Sequence, residues 1–191
     1  VQHMGRSDVR VLVGEHRKVE CEAAIQVHLA VGMPANERMD WLVEKATELG
    51  VHRITPLMTE RSVVRLTGDR ADKKQAHWQA VAASASEQCG RNRVPLIDAP
   101  ERLDAWLAKQ TVQADVVRGV LSLHASTQPL TAVHATAVQT SWVLLNGPEG
   151  GLTDAEDAAA RAKGFVALSL GERVLRAETA ALGALALLTL A

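Results

Sequence analysis

Two segments near the end of the chain combine glycines with charged side chains directly after an apolar run. Residues 146–153 read Asn-Gly-Pro-Glu-Gly-Gly-Leu-Thr. Glycines permit positive φ and let a ligand approach the main chain closely. The segment lacks the lysine of a phosphate-binding loop, and its Glu149 would repel phosphate. It therefore favours a ligand held through main-chain groups, with a plain tight turn as the alternative.

The second segment combines apolar side chains with two charged groups. Residues 170–180 read Leu-Gly-Glu-Arg-Val-Leu-Arg-Ala-Glu-Thr-Ala. Val174 and Leu175 are apolar within a polar loop, which suits contact with an aromatic ring. Arg176 and Glu178 flank a predicted helix start, where Glu178 complements the helix dipole. A chemical role and a helix-start ion pair both remain open for these two residues.

The elements around these loops alternate between strand and helix. Thr153 and Glu156 have the spacing of a capping box, which predicts a helix start after the first loop. The alternation predicts an α/β fold with a mostly parallel sheet, in which ligands bind beyond the strand carboxyl ends. Strands are predicted over 9–13, 25–31, 51–57 (interrupted by Pro56), 116–123, 142–145 and 166–170, and helices over 36–49 (Asn36 as N-cap), 71–89, 103–109, from 153, and 178–190.

Composition excludes several classes of protein. Hydrophobic residues make up 47% of the 191 residues and aromatic residues only 3%, so the predicted core is aliphatic. The two cysteines, Cys21 and Cys89, fit neither a disulfide framework nor a metal site, and a reducing cytoplasm suits them best. The start of the chain has no signal-peptide pattern, and the apolar stretch 180–191 is too short to span a bilayer. We expect no metal and no membrane association.

Charge is distributed unevenly along the chain. Residues 53–93 hold eight Lys or Arg against four Asp or Glu, whereas the remainder holds 13 basic against 18 acidic residues. This asymmetry favours one face that meets an anionic partner, with an ordinary solvated helix as the alternative.

Four blocks in order resemble one family. They are Glu44–Val51 followed by Ile54–Leu57, then Glu87–Pro95, and the two glycine loops. The chain from about residue 9 to 191 is similar to the RsmE family, the small-subunit (16S) ribosomal RNA (uracil-N3)-methyltransferases of the SPOUT superfamily. The resemblance implies a trefoil-knot methyltransferase domain that binds S-adenosyl-L-methionine and forms a homodimer.

The resemblance also implies a domain division and a set of cofactor contacts. Residues 1–22 would be a remnant of an N-terminal PUA-like RNA-binding barrel, which is mostly missing, and 23–191 the methyltransferase domain. The cofactor would contact residues of three loops: Leu123, His124, Leu145, Asn146, Gly147, Pro148, Glu149, Gly150, Gly151, Leu168, Leu170, Gly171, Val174, Leu175, Arg176 and Thr179.

Methyl transfer to uracil N3 would need a cation near the base and a group that takes the proton. Arg176 is the candidate cation, and Glu178 or Glu149 the candidate proton acceptor. The candidate surface for ribosomal RNA phosphates comprises Arg61, Arg65, Lys73, Lys74, Arg91 and Arg93, with both arginines after Gly90 expected to reach outward. A ribose 2′-oxygen or transfer RNA methyltransferase, and a non-catalytic RNA-binding module, remain alternatives.

Overall fold

Sixteen elements follow one another in the computed structural model, which describes residues 1–35, 38–124 and 126–190. The helices are α1 (Arg38–Glu48), α2 (Asp69–Cys89), α3 (Leu103–Lys109), α4 (Leu130–Thr136), α5 (Asp154–Ala162) and α6 (Ala177–Thr189). The strands are β1 (His3–Met4), β2 (Val9–Arg10), β3 (Gln26–Gly32), β4 (Arg53–Met58), β5 (Leu96–Ile97), β6 (Glu101–Arg102), β7 (Val116–Leu121), β8 (Gln128–Pro129), β9 (Ser141–Asn146) and β10 (Val166–Ser169).

The main sheet has the order β5-β4-β3-β9-β7-β10-β8, with β6 also pairing with β4. Its recorded strand pairs are all parallel, which confirms the predicted parallel sheet. Along the chain, β4 and β5 are added on one side of β3, whereas β7 to β10 lie on its other side, with β9 between β3 and β7. The direction in which strands are added therefore reverses beside β9. Such a reversal opens a crevice at the carboxyl ends of the strands.

Apolar residues cover both faces of the sheet. Leu144 belongs to a core cluster that also contains residues of α1, α2 and α6, whereas the next residue, Leu145, belongs to a second cluster with α3 and α5 residues. Both leucines are fully buried. Successive strand residues point to opposite faces, so a continuous apolar strand fits a sheet that is covered on both sides.

Several predicted boundaries differ from the observed ones. The strand predicted over 9–13 is only β2, which pairs with β1 in a small antiparallel hairpin, and Val11, Leu12 and Val13 are exposed. Pro56 does not interrupt β4, because it pairs with β3. It lies between the part of β4 that pairs with β5 and the part that pairs with β6. The predicted N-cap Asn36 lies outside the described residues.

Candidate active site

The first glycine loop leaves the end of β9 and is fixed by contacts on several sides. Thr153 caps α5: its hydroxyl accepts from the Glu156 amide at 3.2 Å, and its own amide donates to the Glu156 carboxylate at 2.9 Å. The other Glu156 oxygen accepts from the Glu60 amide at 2.8 Å. Arg61 donates to the Gly150 carbonyl at 2.8 Å. The predicted capping box is confirmed, and the turn after β4 holds the loop.

The second glycine loop, between β10 and α6, is tied to the first. The buried Asn146 side chain donates to the Ala177 carbonyl at 2.9 Å, which joins the end of β9 to the start of α6. Gly32, at the end of β3, packs so closely on Pro148 that an added Cβ would lie 2.5 Å from it. The carboxyl ends of β3, β9 and β10 therefore position one composite site.

A cavity of about 730 Å³ lies between these two loops and the segment after β7. Its lining mixes main-chain groups, apolar side chains and charged groups. The lining residues are Arg38, Arg61, Leu121, Ser122, Leu123, His124, Asn146, Gly147, Pro148, Glu149, Gly150, Gly151, Leu152, Asp154, Asp157, Leu168, Ser169, Leu170, Gly171, Arg173, Val174, Leu175, Arg176, Ala177 and Ala180.

Nearly all of the residues predicted to bind the cofactor line this cavity. Leu145 and Thr179 do not: Leu145 is buried in the sheet core, and Thr179 is exposed in the first turn of α6. The structure thus brings together three loops that are separated by sixteen or more residues in the sequence. Contact of these residues with a cofactor stays a prediction.

The glycines of the first loop have different constraints. Only Gly151 adopts positive φ, at 70°, with open space around an added Cβ. Gly147 has no such φ, but its Cβ would lie 2.7 Å from the Leu152 amide nitrogen. Gly150 is limited instead by Arg61, because an added Cβ would lie 3.2 Å from the Cβ of Arg61. In the second loop Gly171 has a φ of 106°.

The predicted chemical residues occupy different surroundings. Arg176 precedes α6, lines the cavity, is exposed, and has no ion pair within the described ranges. Glu178 does not line the cavity: its side chain is 9% exposed, and Oε1 lies 3.9 Å from Arg38 Nε. Glu149 lines the cavity, and its Oε1 accepts from the Ala35 amide at 2.9 Å and from Arg38 at 3.3 Å. Glu149 is therefore better placed than Glu178 to meet a substrate.

The predicted RNA-binding residues do not form one uniform group. Arg65, Lys73, Lys74 and Arg93 are exposed, whereas Arg61 lies in the cavity wall. The expectation that Arg91 reaches outward is wrong. Its side chain is 5% exposed and pairs with Glu22, and it donates to the carbonyls of Thr47 and Val51 at 3.1 and 2.8 Å.

Arg91 instead joins the segment before β3 to the turn after α2. Glu22 accepts from the Arg91 guanidinium and from the amides of Asn92 and Arg93, both at 2.9 Å. Burial alone would raise the pKa of Glu22, but these hydrogen bonds and the nearby positive charge lower it. A buried cation held by a carboxylate and two carbonyls serves the fold, because most of its donors are used within the protein and its side chain is hardly accessible to a phosphate.

Sequence reasoning missed several charged residues of the cavity wall, among them Arg38, Asp154 and Asp157. Arg38 follows β3, whose carboxyl end borders the crevice. A charged residue in the first turn of the helix that follows a buried parallel strand was the available signal. Its contact with Glu149 spans 111 positions of sequence, so only the tertiary fold reveals it.

Across the described residues, no cluster of three or more His, Cys, Asp or Glu has the arrangement of a metal site. None of the helices described combines the length and apolar character that a membrane crossing requires.

The fold matches that of the SPOUT methyltransferases. A solved ribosomal RNA small subunit methyltransferase E from Neisseria gonorrhoeae, bound to S-adenosyl methionine, matches 89% of this chain and 68% of its own with a TM-score of 0.79 at 35% identity. A more distant methyltransferase of the SpoU type from Streptomyces viridochromogenes shares the fold, with a TM-score of 0.52 at 15% identity over 87% of this chain and 59% of its own.

The sequence comparisons give the family. The model of an RNA methyltransferase domain matches residues 21–189. The ribosomal RNA small subunit methyltransferase E of Bacillus subtilis is 34% identical over 193 residues, covering 97% of this chain and 73% of the relative. The enzyme of the same name from Mycobacterium bovis is 35% identical over 194 residues, with 99% and 73% covered. The chain belongs to the RsmE family of RNA methyltransferases, as its sequence motifs predicted.

Proposed function

We propose that this chain is an S-adenosylmethionine-dependent methyltransferase that modifies N3 of a uridine in small-subunit (16S) ribosomal RNA. The observation that carries the proposal is the single cavity that both glycine loops form at the carboxyl ends of the parallel strands. The names of the relatives supply the ribosomal RNA, and the Neisseria gonorrhoeae structure supplies the cofactor.

The residues present fit an adenosyl sulfonium ligand. A volume of about 730 Å³ suits a nucleoside-sized molecule. Gly147 leaves no space for a side chain, and Gly151 adopts a φ that other residues avoid, so main-chain groups form the wall at these positions. Leu123, Val174 and Leu175 offer apolar contact for a purine ring. We expect main-chain groups of the first loop to bind the polar edges of the ligand.

The bound cofactor supplies an electrophilic methyl group on its sulfonium, so the protein's task is mainly positioning. Arg176, exposed in the cavity wall, would stabilise the negative charge that develops on the uracil imide. The N3 proton would pass to solvent water, because Glu149 is left to contact the cofactor. We assign Glu178 a supporting role, because its carboxylate is buried against Arg38.

The substrate base must leave its helix, because N3 lies on the pairing edge. Arg65, Lys73, Lys74 and Arg93 are exposed cations that would contact the phosphates of the flanking RNA.

We further propose that the methyltransferase domain contains the trefoil knot of its superfamily and acts as a homodimer in the cytoplasm. Residues 1–22, with the β1–β2 hairpin, would be a remnant of a PUA-like barrel. Size-exclusion chromatography with light scattering would test the dimer, and a single monomeric species at micromolar concentration would contradict it.

The reaction is tested by incubating the purified chain with labelled cofactor and unmodified small-subunit RNA, followed by mass spectrometry of the nucleosides. We expect N3-methyluridine from the wild-type chain and a loss of at least about 100-fold in rate for Arg176→Ala, with cofactor affinity largely kept. A methylated ribose or a different methylated base would refute the uracil-N3 assignment. Unchanged turnover of Arg176→Ala would return this residue to a structural role.

A further inference from the structure

Arg38 connects both glycine loops, although it belongs to neither. It lies at the start of α1, after β3, and lines the cavity. One of its nitrogens donates to Glu149 of the first loop at 3.3 Å, and another lies 3.9 Å from Glu178 in the first turn of α6. A single guanidinium thus lies between two carboxylates, one in the cavity wall and one buried behind it.

The Glu149 carboxylate is fixed through one oxygen only. Its Oε1 accepts from the Ala35 amide and from Arg38, whereas Oε2 has no hydrogen bond to any described residue. Because Glu149 lines the cavity, Oε2 remains as an acceptor for a bound ligand. Two donors hold Oε1 in place, and because the carboxylate is planar this also sets the position of Oε2.

Glu178 explains why the guanidinium holds its place. The Glu178 side chain is nearly buried, its Oε2 has no hydrogen-bond partner among the described residues, and Arg38 is its nearest cation. A buried carboxylate without a partner is costly, so the attraction of Glu178 restrains Arg38 at the cavity wall. Arg38 itself is 44% exposed, and it would be mobile without this anchor.

We propose that Arg38 is a positioning residue that acts through Glu149: anchored by Glu178, it holds the Glu149 carboxylate so that Oε2 accepts a hydrogen bond from the bound cofactor. The ligand group is a donor, either the ammonium or a ribose hydroxyl of an adenosyl amino acid. This inference rests on the proposed function, since it assumes an S-adenosylmethionine site.

The test is a double-mutant cycle on cofactor affinity with Arg38→Met, Glu149→Gln and the double variant, measured by calorimetry. We expect each single variant to weaken S-adenosylmethionine binding by about tenfold or more, the size of one hydrogen bond to a charged group. The double variant should be little worse than either single one, because both remove the same interaction. Arg38→Lys should recover part of the affinity. Arg70→Met removes an exposed charge on α2 away from the cavity and should bind like the wild type.

Glu178→Gln separates positioning from stability. Arg38→Met leaves the Glu178 charge unpaired, so its melting temperature should fall, and adding Glu178→Gln should restore the melting temperature but not cofactor affinity. Restoration of both would mean that Arg38 serves only the fold. The proposal would also be overturned if the affinity losses of the two single variants multiplied in the double variant, or if Arg38→Met bound the cofactor with wild-type affinity. A wild-type chain that binds no cofactor would instead refute the proposed function.

Discussion

At the scale of single residues, one glycine of the first loop has a main-chain conformation that other residues adopt only at a cost. Gly151 has a φ of 70° with open space where a side chain would lie, so the penalty for replacing it comes from the backbone alone. Gly150, with no positive φ, is constrained by its contact with Arg61. The two neighbouring glycines are therefore required for different reasons, one for its main-chain conformation and the other for its lack of a side chain.

Gly151→Ala should cost about 1–2 kcal/mol of stability and weaken S-adenosylmethionine binding by at least about tenfold, because the loop wall would shift to relieve the strain. Gly90→Ala is the matched control: its φ of 74° and open surroundings give the same strain at the end of α2, away from the cavity. Urea unfolding and calorimetry measure both effects. Equal cofactor affinity in the two variants would show that the Gly151 conformation is irrelevant to binding.

Arg91 illustrates a residue whose role the sequence suggested incorrectly. Arg91→Met should lower the free energy of unfolding by about 3–5 kcal/mol, because Glu22 would keep a nearly buried charge without its partner. Arg93→Met, at an exposed position in the same turn, should change stability by less than about 0.5 kcal/mol. A stable Arg91→Met variant that had lost RNA affinity would contradict the structural role and restore the RNA-binding one.

At the scale of elements, a partly buried polar cluster ties β3 and β4 to the segment after β5. His28 Nε2 lies 2.7 Å from the Thr55 hydroxyl, which in turn donates to Asp98, and Arg53 donates two hydrogen bonds to the same carboxylate at 2.7 and 2.9 Å. Burial, reinforced by the Arg53 charge, lowers the pKa of His28 from 6.5 to about 4. The folded protein therefore holds His28 neutral.

The lowered pKa makes this cluster sensitive to acid. The unfolded chain binds a proton at His28 below pH 6.5 and the folded chain only near pH 4, so the contribution of neutral His28 is complete above pH 6.5 and is lost as pH falls towards 4. The full loss is about 3 kcal/mol. His28→Gln should flatten the fall in unfolding free energy between pH 7 and 4.5, whereas His16→Gln, at an exposed position, should not. Parallel curves for the wild type and His28→Gln would contradict this account.

At the scale of the whole molecule, much of the fold followed from local pattern. The α3 bounds, the capping box at Thr153 and the apolar strand β9 were predicted because each depends on neighbouring residues. The helix α4 was missed, since its sequence Leu-Thr-Ala-Val-His-Ala-Thr contains β-branched residues, and no side chain caps its start. Val11–Val13 are the opposite case: their apolar pattern predicted a strand, but they are exposed, and nothing in the described chain covers them.

The parts of the site that a local sequence motif encodes were predicted, whereas the parts that depend on long-range contacts were missed. The glycine loops could be found from sequence, because a strand, a glycine-rich turn and a helix follow one another. The Arg38–Glu149 pair, and the burial of Arg91 by Glu22, join positions more than sixty residues apart, and no local pattern encodes them.

The central claim is that both glycine loops form one pocket for an adenosyl sulfonium compound. The most direct measurement is calorimetric titration of the purified chain with S-adenosylmethionine in a buffer that contains a chelator. We expect saturable binding of one molecule per chain without added metal, with weakened binding in Gly151→Ala. The absence of any binding heat at millimolar cofactor, in a chain that unfolds cooperatively, would contradict the claim.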